Sequence, residues 1–237
     1  TTGIQPGWLV IVGARPGEGK TSLALQVALH NAERGVPVLF VSREMSDVEL
    51  ATRAVCGYAG ISYTKVRRGS LQDSDWRRFL DAQGKLEELP IELYDEGVET
   101  VGQIRSRVRR SSPGLVVVDY IQLLRPDTAQ ARRDLDIAEI TRGLKLLAKE
   151  AQIPVLACAQ LNRGQVQKDG TMRAPELQDL RDGGTQEQDA DVVLMLHRKD
   201  KDPRITQALF RKFRHGPSGS DDLYWYPDIT RFADGLR

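Results

Sequence analysis

Residues 13–21, GARPGEGKT, are the stretch that most limits what this chain can fold into. An apolar run, Trp8 to Val12, precedes them. A helical pattern opens at Thr21, with Leu23, Ala24, Val27 and Ala28 on one face and Gly35 as a stop. Strand, tight glycine turn and helix start aim several backbone N–H groups, and the positive end of a helix dipole, at one point. Phosphate oxygens are the natural occupants. Lys20 supplies a mobile cation for the outer phosphates, and the Thr21 hydroxyl a ligand for Mg²⁺. The strict GxxxxGK[ST] spacing is not met, because its first glycine falls on Ala14, with Gly13 one place earlier. The reading therefore rests on the flanking elements, and its alternative is a structural turn.

The rest of the chain alternates strands with helices. Val36 to Ser42 and Leu115 to Asp119 are continuous apolar runs, as strands covered on both faces require. Ser46 and Glu49 form a capping box that starts a helix to about Cys56. Residues 58–89 read as a small helical insertion, clearest from Asp73 to Leu89, and Ile91 to Tyr94 as a short strand. Thr100 and Gln103 cap another helix, whose arginines 105 to 110 are most simply a solvated face. A helix spans about Leu135 to Ala151, a strand Pro154 to Ala159, and a long polar stretch Leu161 to Gln188. Long loops in compact domains are usually functional. Strands are expected at Val192 to His197, Thr206 to Arg214, Leu223 to Tyr226 and Arg231 to Ala233. The fold class is α/β, a mostly parallel sheet with right-handed crossovers and a hairpin-rich C-terminal part. At 237 residues, 40% of them hydrophobic, the chain suits a single domain.

In such sheets ligands sit beyond the carboxyl ends of the strands. The groups found there are the glycine turn, Glu44, Asp119 and Gln160. Asp119 fits an acid that holds Mg²⁺ across the site, or else a carboxylate capping the next turn. Glu44 fits the base that orients an attacking water, or a surface glutamate beside Arg43. Gln160 can report a γ-phosphate, since an amide donates and accepts, or simply cap its strand. Lys212 and Arg214 lie two apart on a predicted strand and share a face, with Phe210 on that face and Phe213 on the other. The turn His215 to Gly219 would hold them at a hairpin tip with no acidic partner adjacent. They suit a finger for phosphate charge on a neighbouring subunit, and equally an ordinary basic strand. Arg181, Asp182, Gly183 and Gly184 form a polar glycine loop that could meet a sugar-phosphate chain, although a surface loop is the simpler account of the residues alone.

The net charge of +1 excludes a global basic field, so any nucleic-acid contact must be local, concentrated by a ring or filament. Cys56 and Cys158 lack metal spacing and read as buried thiols in a reducing cytosol, and His30, His197 and His215 lack partners at metal spacing. No run is long and apolar enough for a membrane span, and no signal peptide precedes the first strand, so a cytoplasmic location is expected.

ARPGEGKT, SREMS (Ser42 to Ser46), VVVDYIQLL (Val116 to Leu124), AQLNR (Ala159 to Arg163), LRDGGTQEQDADVV (Leu180 to Val193) and KFRHGPSG (Lys212 to Gly219) occur in one order. In order and spacing they resemble the bacterial replicative DNA helicase of DnaB type, over nearly the whole chain. The resemblance is to the C-terminal RecA-like P-loop NTPase domain of that hexameric, ATP-driven motor. That family tolerates alanine at the position of Ala14.

The resemblance implies ATP and Mg²⁺ as cofactors, single-stranded DNA as partner, a homo-oligomer, 5′-to-3′ movement and duplex separation. A primase and a helicase loader become candidate partners. By position it implies a nucleotide loop Ala14-Arg15-Pro16-Gly17-Glu18-Gly19-Lys20-Thr21-Ser22, with Arg53 also at the nucleotide. Thr21 and Asp119 would hold the metal, Glu44 would be the catalytic glutamate and Gln160 the γ-phosphate sensor. Lys212 and Arg214 would act in trans, and Arg181, Asp182 and Gly184 would line the DNA channel. Arg43 departs from the usual apolar residue, Asp182-Gly183 from Glu-Ser, and Phe213 and His215 from Gln and Asn. Relative to that family, the collar domain, linker helix and opening strand of the motor are expected to be absent from this sequence, leaving a largely monomeric, weakly active module. Two rivals remain: a recombinase-type filament ATPase, which shares the core sheet, and a regulatory module that binds nucleotide and docks a partner without turnover.

Overall fold

A computed structural model describes residues 3–128, 132–162, 171–180, 184–199 and 202–234, with Gly184 and Thr185 described by backbone alone. In chain order the elements are β1 (Leu9–Ala14), α1 (Lys20–Ala32), β2 (Val38–Ser42), α2 (Asp47–Ala59), α3 (Tyr63–Arg67), α4 (Asp73–Glu87) and β3 (Ile91–Tyr94). There follow α5 (Val101–Ser111), β4 (Leu115–Asp119), α6 (Arg133–Ala151), β5 (Val155–Gln160), α7 (Gly184–Asp189), β6 (Val192–Lys199), β7 (Asp202–Phe213), β8 (Gly219–Tyr226) and β9 (Arg231–Asp234). The strands form a nine-stranded sheet in the order β3-β2-β4-β5-β1-β6-β7-β8-β9 among the described residues. The first six are parallel and the last three antiparallel. This is the expected α/β architecture, with β1 in the middle.

Side-chain parity sorts the core into two layers. Leu9 and Ile11 of β1, Leu39 and Val41 of β2, and Val116 and Val118 of β4 pack with α5 and α6. Their alternates Val12, Phe40, Leu115 and Val117 pack with α1 and α2. Successive residues of a strand point to opposite faces, so an unbroken apolar run feeds both layers at once.

Local chemistry sets the helix ends. The Thr100 hydroxyl accepts from the Gln103 N–H while the Gln103 side chain accepts from the Thr100 N–H, closing the expected capping box of α5. At α2 only half of the expected box forms. Ser46 accepts from the Glu49 N–H at 3.2 Å, but the Glu49 carboxylate turns away to Arg53 and the Tyr63 hydroxyl. The insertion holds two helices, the short α3 and then α4, which occupies the stretch expected to be the clearest helix.

One expectation fails at the C-terminal hairpin. Opposite β7, Leu194 pairs with Phe210 but the adjacent Val193 pairs with Lys212, so Arg211 is an extra residue in a β-bulge. A bulge inverts the parity of the residues beyond it. Phe210 therefore shares its face with Phe213, their ring centroids 6.5 Å apart, and not with Lys212.

Candidate nucleotide site and the basic hairpin

Parity aims the site. After Leu115 and Val117, Asp119 is the next β4 side chain on the α1 face, and after Leu156 and Cys158, Gln160 is the next on β5. The start of α1 lies under both. Lys20, its first residue, is buried, and its Nζ is paired with Glu44 and 3.2 Å from Asp119 Oδ1. The Thr21 hydroxyl donates to Asp119 Oδ2 at 2.7 Å. Lys20 Nζ also stands 4.6 Å from the centroid of the Tyr120 ring. Burial alone would lower the ammonium's pKa; Asp119 and Glu44 outweigh it and hold Lys20 above the ordinary lysine value. Asp119 is fully buried, whereas the Glu44 side chain is 44% exposed, so the two carboxylates occupy the floor and the mouth of one site.

Gly19 shapes the turn. Its φ is +94°, and a Cβ there would come within 2.7 Å of the Phe232 ring. No side chain caps α1, which leaves its first N–H groups for an external acceptor. The Glu18 carboxylate folds back onto the turn, accepting from the N–H groups of Arg15 at 3.0 Å and Arg198 at 3.4 Å. Burial pushes its carboxyl up, against the opposing pull of those two bonds. The Arg15 guanidinium donates to the Arg173 carbonyl at 2.7 Å, while Pro16 and Gly17 form the exposed tip.

Arg53 pairs with Glu49 at 3.1 Å and lines, with Ser22, Gln26 and Arg231, a cavity of about 350 Å³ beside the start of α1. Arg43 is directed to the Asp95 carbonyl at 2.5 Å and to Glu99 at 3.1 Å, so its charge is matched outside the Lys20 cluster. Both cysteines are buried. Burial raises the Cys56 thiol to about 11, and burial and then Asp119 push Cys158 well above its ordinary value.

The basic hairpin is not partnerless. Lys212 Nζ donates to the carbonyls of Glu187 at 2.5 Å and Gln188 at 3.3 Å, at the C-terminal end of α7. Arg214 pairs with Asp191 Oδ1 at 3.2 Å and donates to the Gln188 carbonyl at 3.2 Å. Asp191 is buried, and its Oδ2 also accepts from Lys145 at 2.5 Å and the Leu9 N–H at 2.8 Å. No acid adjoins the pair in sequence, as expected, but Arg214 finds one in space: Asp191, the residue before β6. Burial, then Arg214, lowers the Lys212 pKa. His215 stacks on Trp8, centroids 4.9 Å apart, and Phe213 meets the same indole edge-on at 6.0 Å. Of the expected DNA residues, Arg181 and Asp182 lie outside the described residues, and Gly184 opens α7.

Two features escaped the sequence reading. Arg198 lies 5.7 Å from the centroid of the Trp225 ring, and its Nε and Nη2 are buried without a hydrogen-bond partner among the described residues. The Gln122 side chain brackets the backbone of Gln160. The only local signal for either was the residue type.

The family model for the DnaB-like helicase C-terminal domain matches residues 1–234. The chain belongs to that family. It is 37% identical over 245 residues to the replicative DNA helicase DnaB of Leifsonia xyli subsp. xyli, an alignment covering 99% of this chain and 53% of the relative. To the DnaB of Treponema pallidum it is 38% identical, covering 98% of this chain and 53% of the relative. The chain thus spans about half the length of these curated relatives. Among solved structures, a DnaB-like replicative helicase, solved with its interactions with primase, superposes with a TM-score of 0.91 at 31% identity, covering 99% of this chain and 60% of that one. A second solved chain, an ATPase domain, gives 0.90 at 31% identity, covering 98% and 86%. This DnaB-family chain has no helix, among the described residues, long and apolar enough to cross a membrane.

Proposed function

We propose that this chain is the motor domain of an ATP-driven replicative DNA helicase. The observation that carries the reading is Lys20, at an uncapped helix start, joined to an exposed Glu44 and a buried Asp119. ATP binds with its β- and γ-phosphates on the N–H groups of residues 17–22 and on Lys20. The donor set suits Mg²⁺: the Thr21 hydroxyl and the Asp119 carboxylate are adjacent hard oxygens. When bound there, Mg²⁺ would neutralise charge on the phosphates. Glu44, open to solvent, accepts a proton from the attacking water and aims its oxygen at the γ-phosphorus. Gln160 meets the γ-phosphate, and Arg53 contacts the nucleotide from the adjoining cavity. Lys212 and Arg214 act on the site of the neighbouring subunit in a hexameric ring.

Loss of the phosphate shifts subunits against each other and moves Arg181, Asp182 and Gly184 along single-stranded DNA in the 5′-to-3′ direction. Contact would be mainly to the DNA backbone, hence tolerant of sequence and weakened by salt. The likeness to a helicase solved with its interactions with primase makes primase a candidate partner, with a helicase loader as another.

The deciding measurement uses the longer protein that contains this domain. Single-stranded DNA is expected to stimulate its ATP turnover, and a forked duplex to be opened only with ATP. Strand exchange without unwinding would select a recombinase. Turnover no greater than that of Glu44→Gln would select a docking module.

A second prediction concerns the base. Arg198 and Trp225 form a cation–aromatic pair, and Trp225 also approaches Gly19. Stacking a base there is worth roughly 1–3 kcal/mol. Trp225→Ala is expected to weaken binding of ATP and ADP alike by roughly ten- to a hundredfold, read by titration calorimetry. Inorganic triphosphate binding should be unchanged.

A further inference from the structure

β4 and β5 pair only as far as Val118 and Ala157. Beyond that point β4 gives way to a 3₁₀ turn, Ile121–Leu123, while β5 runs on to Gln160. The edge that β4 leaves bare is taken over by one side chain. Gln122 Oε1 accepts from the Gln160 N–H at 3.1 Å, and Gln122 Nε2 donates to the Gln160 carbonyl at 3.1 Å. An N–H only donates and a carbonyl only accepts, so both ends of the amide are committed.

On its other edge Gln160 lies in register with Ala14, and the Leu161 N–H donates to the Ala14 carbonyl at 3.0 Å. Gln160 is therefore held between the first residue of the phosphate loop and a residue just past Asp119. Two further ties extend from this point. The Arg133 guanidinium, at the start of α6, donates to the Gln122 carbonyl. Leu161 bridges to Leu180, and the Asn162 N–H donates to the Asp179 carbonyl at 2.8 Å.

We propose that Gln122 is a positioning residue for ATP turnover, whose amide fixes the Gln160 backbone so that the Gln160 side chain distinguishes a triphosphate from a diphosphate. The inference rests on the reading of Gln160 as the group that meets the γ-phosphate. A strand end with one edge unpaired frays, and a frayed end spreads its side chain over many positions. An amide of this length replaces the missing strand on both of its hydrogen bonds. A carboxylate could make only the one to the N–H.

The test measures affinities of this chain for ADP and for a slowly hydrolysed ATP analogue, both with Mg²⁺, in Gln122→Met, Gln122→Glu, Gln160→Ala and the Gln122→Met/Gln160→Ala double variant. Gln122→Met is expected to leave ADP binding unchanged and to weaken the analogue roughly five- to tenfold, as the loss of one or two hydrogen bonds predicts. Gln122→Glu should fall between it and wild type, and it decides the matter if the methionine variant does not fold. The double variant should bind the analogue no more weakly than Gln160→Ala alone, because the clamp acts through Gln160. If Gln160→Ala keeps the wild-type preference, the sensor reading fails and the inference falls with it. If Gln160→Ala loses that preference while the Gln122 variants keep it, or if they weaken both nucleotides equally, the sensor stands and the inference is overturned.

Discussion

Glu44→Gln is expected to bind ATP about as well as wild type and to turn it over roughly 10²- to 10⁴-fold more slowly, the usual worth of a positioned general base. The geometry separates the two effects. Lys20 is held by both Glu44 and the buried Asp119, so it keeps a full counter-charge when Glu44 becomes an amide. Glutamine is nearly isosteric and still offers Lys20 an oxygen. What it loses is basicity at the mouth of the site, where the side chain is 44% exposed and water is at hand. Equilibrium binding of a fluorescent ATP analogue and single-turnover hydrolysis in the assembled protein read the two quantities apart. A variant that loses binding and turnover in equal measure would make Glu44 only a counter-ion for Lys20, and would remove the base from the mechanism. Asp119→Asn should differ in kind, because a buried carboxylate bonded to both Lys20 and Thr21 is then neutralised, and metal-dependent binding should suffer with turnover.

The sequence carries the sheet because its strands are buried on both faces. A short, β-branched apolar run such as LVVVD suits a strand buried on both faces, and its last residue is then committed by alternation to one face. Hence Asp119 could be placed at the strand end from sequence, and its meeting with Lys20 follows once α1 is known to cover that face. The capping box at Thr100 was equally legible, since both of its bonds are local. What stayed hidden depends on contacts between distant segments. No local pattern announces that Arg211 bulges out of β7, and the bulge alone decides which face Phe213 takes. Asp191 reads as one acid before a strand, yet it gathers Leu9, Lys145 and Arg214 from three parts of the chain. At Ser46 the sequence signal was real but incomplete. The Glu49 carboxylate had better partners in Arg53 and Tyr63, and a local motif cannot display its competitors.

Arg214→Ala is expected to abolish most turnover, by roughly 10³- to 10⁵-fold in the assembled protein, as for an arginine that stabilises transferring phosphate. Nucleotide affinity of the separate chain should be unchanged. The change should also be tolerated by the fold. Asp191 keeps Lys145 at 2.5 Å and the Leu9 N–H at 2.8 Å, so the buried carboxylate is not left uncompensated. The same arrangement makes it inexpensive for wild-type Arg214 to leave Asp191 for a neighbour's phosphate. Action in trans is then decided by mixing. On the proposed roles, an Arg214→Ala subunit would keep an intact site but lack the finger, and a Glu44→Gln subunit would keep the finger but lack the base. Combined in equal amounts and reassembled, an interface is productive only where an Arg214→Ala site faces a Glu44→Gln finger. Random placement in a closed ring gives one half times one half, so about a quarter of wild-type turnover should return from two inactive preparations. If the mixture stays as inactive as its parts while rings form normally, Arg214 acts within its own subunit. Its bond to Asp191 would then be part of a single-chain site, and the motor could not depend on its neighbours for this charge.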